Sequence, residues 1–183
     1  MLRVVSVQNL AILHDPNLSL ATRLAQGVAL SQTSAAVLSS YAEATGKGEV
    51  FDRELVELMV FVVKLNNELW TIADEVLETL TPEERVDRAS ALDKMRSGSA
   101  QIAMGTLTTL DEVKVYRLSE LRRLAIQLRP IFPALVQRLT AEAHAEVVTR
   151  LRALASQPSR EDDLPSLLKG LLDAIEPNAK SGA

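Results

Sequence analysis

A chain of 183 residues that is 47% hydrophobic, only 3% aromatic and free of cysteine can bury one substantial core without disulfide or metal staples. Leu, Val and Ala must fill that core, which favours helices packed on helices over sheets. The missing cysteines exclude a disulfide framework, thiolate zinc sites and thiol nucleophiles together. The net charge of −4 conceals a segregation: residues 41–112 carry 15 acidic and 7 basic side chains, whereas residues 114–160 carry 9 basic and 3 acidic. Two such segments are expected to pack against each other.

The opening stretch MLRVVSVQNLAILHDP has one basic residue and no small-x-small cleavage pattern, so no secretion signal is read there. After Pro16, Ser19 is placed to cap a first helix running to about Thr45, rich in Ser and Thr and stopped by the turn Gly46-Lys47-Gly48. The next stretch, Phe51 to Leu80, is the one around which the chain is organised. Phe51, Leu55, Leu58, Val62, Leu65, Leu69, Ile72 and Val76 alternate steps of four and three, the spacing of a helix packed along its length on others. A second stripe of Met59, Val63, Trp70, Ala73 and Leu77 widens the buried face enough for at least two neighbours. Its longest apolar block, Leu55 to Val63, is cut by Glu57 and ended by Lys64, short of the ~20 apolar residues a transmembrane span requires.

Thr81-Pro82-Glu83-Glu84 places a hydroxyl, a proline and a carboxylate as a capping box demands. It predicts a third helix to about Glu112, joined to the second as an antiparallel hairpin. Ser97-Gly98-Ser99 and Gly105 weaken its middle, which reads either as close helix approach or as a hinge. From Arg117 the apolar phase Leu118, Leu121, Ala125, Leu128, Phe132, Leu135 and Leu139 runs through Pro130 and Pro133 to about Ala155, predicting a fourth helix kinked at 129–133. A polar linker follows, and Asp163 is expected to cap a short amphipathic helix that Pro177 ends.

The expected fold is therefore all-α: an elongated antiparallel helical bundle of four or five main helices, one proline-kinked, plus a short C-terminal helix. One domain over 1–176 and a mobile tail over 177–183 complete the expectation.

Motifs of chemistry are sparse. Neither His14 nor His144 has a glutamate three residues before it (Ala11 and Ala141 stand there), so the Glu-x-x-His pairs of dimetal bundles are missing. Phosphate-loop, dinucleotide and nucleophile-elbow patterns are also missing. No catalytic residue, metal or cofactor is expected. Arg138-Leu139-Thr140-Ala141-Glu142-Ala143-His144 resembles in outline the arginine-to-histidine spacing of the all-helical HEPN ribonucleases; the resemblance implies Arg138 and His144 as a ribonuclease pair, although Leu139 stands where that family usually has a polar residue. Arginines 117, 122, 123, 129, 138, 150 and 152 read as a solvated or acid-paired helix face rather than a nucleic-acid surface, because the chain is acidic overall and only Tyr116 and Phe132 are near to stack on bases.

Two places on the organising helix invite a function. Val60 and Phe61 fall on its polar side among Glu57 and Lys64, where either the N-terminal segment or the last helix covers them or they form an apolar patch for a partner. Asn66 and Trp70, one turn apart, read either as a core pair whose indole is satisfied locally or as the floor of a small pocket. The function expected is that of a non-enzymatic, cytoplasmic protein-interaction module, an adaptor or inhibitor, binding another protein through its acidic helix hairpin. The alternative is a ligand-binding bundle or one touching a membrane peripherally through Leu164 to Ile175. Oligomeric state and partner are not legible.

Overall fold

The computed structural model describes residues 14–46, 53–112, 118–157 and 163–176, together with Ala11. Among them the regular structure is helical throughout, in seven helices: α1 (Leu20–Gly46), α2 (Arg53–Thr79), α3 (Pro82–Glu112), α4 (Leu118–Leu128), α5 (Phe132–Val136), α6 (Ala141–Ala155) and α7 (Leu164–Ile175). The protein is an all-α helical bundle. The expected tail over 177–183 and the linker at 158–162 lie outside the described residues.

Helix α2 is the centre. It buries thirteen residues, from Leu55 to Val76, and α1, α3, α4 and α5 all pack on it. Val62 and Leu65 are buried and Leu58 is partly so, as the organising stripe requires. The side chains left exposed between Leu55 and Glu78 are Lys64, Thr71, Glu75 and Glu78, one narrow strip of the helix surface. Antiparallel pairing with α3 shows in Asn66 and Trp70, both of which meet Ser99. Helix α1 lies closely along α3 and also on α2, capped by Ser19, whose hydroxyl accepts the Thr22 N–H at 3.2 Å.

Through its weak middle, α3 is one continuous helix of 31 residues, about 46 Å long at 1.5 Å per residue, so the hinge reading falls away. Close backbone approach is not the reason for Gly105, however. A Cβ added there would meet only the Leu38 side chain of α1, at 3.7 Å.

The fourth element differs from the single kinked helix expected: it is three helices. Pro130 and Pro133 stop α4 at Leu128 and start α5, since neither can donate to a helical ladder. The Ile131 carbonyl in the gap accepts from Asn67 Nδ2 of α2 at 2.8 Å. A second break at 137–140 ends where Thr140 caps α6, its side chain accepting from the Ala143 N–H. The apolar phase survives both breaks because all three pieces face one core, a cluster to which every helix from α1 to α7 contributes. Helix α7 sits in it through Leu164, Leu168, Leu171 and Ile175. Asp163 does not cap α7 with its side chain as expected; its carboxylate pairs with Arg122 of α4.

Because that Cβ at Gly105 would stand at ordinary contact distance, Gly105→Ala should stabilise the protein by roughly 0.5–1 kcal/mol of helix propensity. Gly105→Leu should destabilise it by crowding Leu38. Urea unfolding of the two variants against the wild type, followed by circular dichroism, checks both signs.

Candidate interaction surface

The two places singled out on α2 are both inside. Val60 is 5% exposed and belongs to the main core, and Phe61 is half-buried against the second cluster. Glu57 is half-buried and accepts from Arg53 Nε at 3.0 Å, while Lys64 is exposed. No apolar patch exists there. The amphipathic stripes predicted an outward Val60 and Phe61 for a helix with two neighbours; with four around it, little of α2 is outward.

Asn66 and Trp70 do not floor a pocket either. Trp70 Nε1 donates to Ser99 Oγ at 2.9 Å and Asn66 Nδ2 donates to the same oxygen at 3.1 Å. The Ser99 hydroxyl donates in turn to the Met95 carbonyl at 2.9 Å. The oxygen thus has two donors and one acceptor, a satisfied set. All three side chains are buried.

Beside this set, Arg138 lies over the Trp70 ring at 5.4 Å from its centre. Its guanidinium also donates from both terminal nitrogens to the two oxygens of Asp74, at 3.1 and 2.6 Å. Stacked and bidentate, it is fixed as a tie between the segment after α5 and α2. His144 is half-buried in the first turn of α6. The arginines expected to be acid-paired are largely so: Arg122 with Asp163, Arg138 with Asp74, Arg150 with Asp111 and Arg152 with Glu176. Two of these pairs join the basic segment to the acidic one.

What the surface offers instead is the end of the α2–α3 hairpin. Every residue from Thr81 to Ser90 is exposed, so more than two turns of α3 stand clear of the body on all sides. The capping box holds them. The Thr81 N–H donates to Glu84 Oε2 at 2.9 Å, and the Glu84 N–H donates to Thr81 Oγ1 at 3.3 Å. In addition, Arg85 Nε donates to the Leu80 carbonyl at 3.2 Å. On this projection Val86 is 75% exposed, flanked by Glu83 and Asp87. Glu78, Glu83 and Asp87 make no ion pair among the described residues. Sequence reasoning found the cap but passed over Val86. The signal was there: between Pro82 and Ala91 it is the single large aliphatic side chain, too little to anchor a buried face.

Among the described residues no group of His, Asp and Glu side chains is arranged to hold a metal ion, and no helix is long and apolar enough to cross a membrane. Comparison with known proteins finds no matching family model, no matching curated protein and no matching solved structure.

Two measurements test these arrangements. Ser99→Ala strands the Trp70 N–H in the core and takes one partner from the Asn66 amide, and at ~1–3 kcal/mol for a buried group left unpaired it should cost about 1–3 kcal/mol. Urea unfolding read by the fluorescence of Trp70, the chain's one tryptophan, gives the value. At the cap, the Thr81 backbone N–H, with the Thr81 hydroxyl and then Arg88, holds the Glu84 carboxyl below its usual range. A depressed carboxyl pKa contributes stability above its unfolded value of about 4.3 and loses it as pH falls through the folded value. The first turn of α3 should therefore stay formed at pH 5 and fray only under stronger acid. In an NMR titration, the Glu84 Cδ shift and the amide shifts of residues 82–86 should move together, with a midpoint below the usual glutamate range.

Proposed function

We propose that the protein is a non-enzymatic interaction module that binds another protein through the acidic end of its α2–α3 hairpin. One observation supports this reading above the others: a capped helix end, exposed on every side, carries a bare valine beside Glu83 and Asp87, which make no ion pair among the described residues, with Arg85 and Arg88 on its other sides. An isolated helix end of this kind is marginal in water, yet here two reciprocal cap bonds and a tie from Arg85 keep it helical where no core needs it. Its chemistry selects a cationic surface with an apolar centre. Charge steers the encounter, and the desolvated valine contributes the short-range contact. The membrane and ligand alternatives draw less support, because the apolar face of α7 is occupied in the core and Asn66 and Trp70 both donate to the buried Ser99 hydroxyl.

Affinity capture from cells that make the protein tests the reading through a comparison. Proteins retained by the wild type and by Thr149→Asp, a change on the exposed side of α6, should be lost with Val86→Asp and with Asp87→Arg. Retention of the same set by all four baits would end the proposal.

A further inference from the structure

Among the described residues, the large hydrophobic side chains classed as exposed are Val86, at 75%, and Ile126, at 56%. They sit in opposite electrostatic settings. Ile126 is on α4, and the positions that share its face, three and four residues away, are Arg122, Arg123, Arg129 and Pro130. Arg122 is engaged by Asp163. Arg123 and Arg129 make no ion pair among the described residues. The Arg129 guanidinium lies over Gly170 of α7, within 4 Å of where a Cβ would stand, and next in the chain is exposed Lys169, also without an ion pair. A net-acidic protein thus presents a cationic surface with an isoleucine at its centre and, on the hairpin end, an acidic strip of Glu83 and Asp87 with Val86 at its edge, Arg85 and Arg88 standing on other sides of the same turns.

We infer that these two surfaces are partners across molecules: the hairpin end of one copy docks on the α4 face of a second copy, Val86 against Ile126, with Glu83 and Asp87 opposite Arg123 and Arg129. This rests on the interaction reading above and names the cationic partner as the chain itself. One copy cannot make the contact alone. Asn67 meets Ile131 and Asp74 meets Arg138, the same 64-residue offset, which places Ile126 level with position 62 of α2. Val86 lies near the hairpin end, about 25 Å further along at 1.5 Å per residue. The contact is between two different patches, so it either closes as a two-fold pair, each copy giving both patches, or continues head to tail.

Sedimentation velocity of the full chain decides. At about 0.01 M salt, where screening acts over about 30 Å, the weight-average mass should rise with concentration above the 20.0 kDa of the monomer; at about 1 M salt it should return to it. A limiting mass of two chains indicates the closed pair and a larger one the open arrangement. Val86→Asp and Ile126→Asp should each weaken association at least tenfold with an unchanged helical circular dichroism spectrum. Glu83→Lys/Asp87→Lys and Arg123→Glu/Arg129→Glu should each be monomeric alone and should associate when mixed, since each supplies the charge the other lacks. A wild type that stays monomeric at every concentration, or a mixture that does not associate, overturns self-docking. Capture of a different protein through Val86 would still be judged by its own comparison.

Discussion

Enclosing α2 is the constraint from which the rest follows. A helix with buried residues around most of its circumference cannot be satisfied by one partner, and the chain supplies α1, α3, α4 and α5 to cover it. The later helices are short, with 11, 5, 15 and 12 residues, at or below the length at which isolated helices become marginal. Their stability comes from the apolar surface they find rather than from propensity. This also explains why two breaks are tolerated in what the pattern suggests is one rod: each piece needs only to lay its stripe on the shared core.

Apolar contact does not by itself fix register, because a helix sliding by one turn on another finds a similar surface. Three polar contacts do. Ser99 takes donors from two successive turns of α2, at Asn66 and Trp70; a one-turn slip of α3 would bury the indole N–H without an acceptor. Asn67 meets the Ile131 carbonyl in the gap between α4 and α5, and Asp74 meets Arg138, which lock the α4–α5 run along α2. The contacts of Ser99 and Asn67 are strong restraints because their failure leaves a buried or half-buried polar group without its partner, whereas the more exposed Asp74–Arg138 pair holds through its bidentate geometry.

The limits of the sequence reading follow from the same geometry. Helices one to three and the last were legible with their ends, because caps, glycines and a strict period are local signals. Thr81 and Glu84 are three residues apart, as their bonds require. The break at 137–140 was not legible: its signal is the lone cap Thr140, inside a run whose apolar phase never falters. Val60 and Phe61 were misplaced because periodicity shows which side of a helix is most apolar but not how many neighbours it will have. Ser99 was read as a weakness in α3, and its hydroxyl gains meaning only beside Trp70, 29 residues away. Ile126, one of the two large hydrophobic side chains exposed among the described residues, stood off the phase Leu121, Ala125, Leu128 and could have been noticed on that ground.

The segregation of charge along the chain connects fold to surface. An acidic first half and a basic second half attract each other, and intramolecular pairing is favoured by an effective concentration in the millimolar range or above. The pairs Asp74 with Arg138 and Asp111 with Arg150 realise it. But pairing inside one molecule is limited by reach. Once α4 is locked beside the first half of α2, Arg123 and Arg129 lie about 25 Å along the bundle from the hairpin end, and the cations near Glu83 and Asp87 are Arg85 and Arg88 of the same helix. The register that satisfies the core therefore leaves a positive pole and a negative pole that cannot meet in the same chain. They are left to counterions or to another molecule.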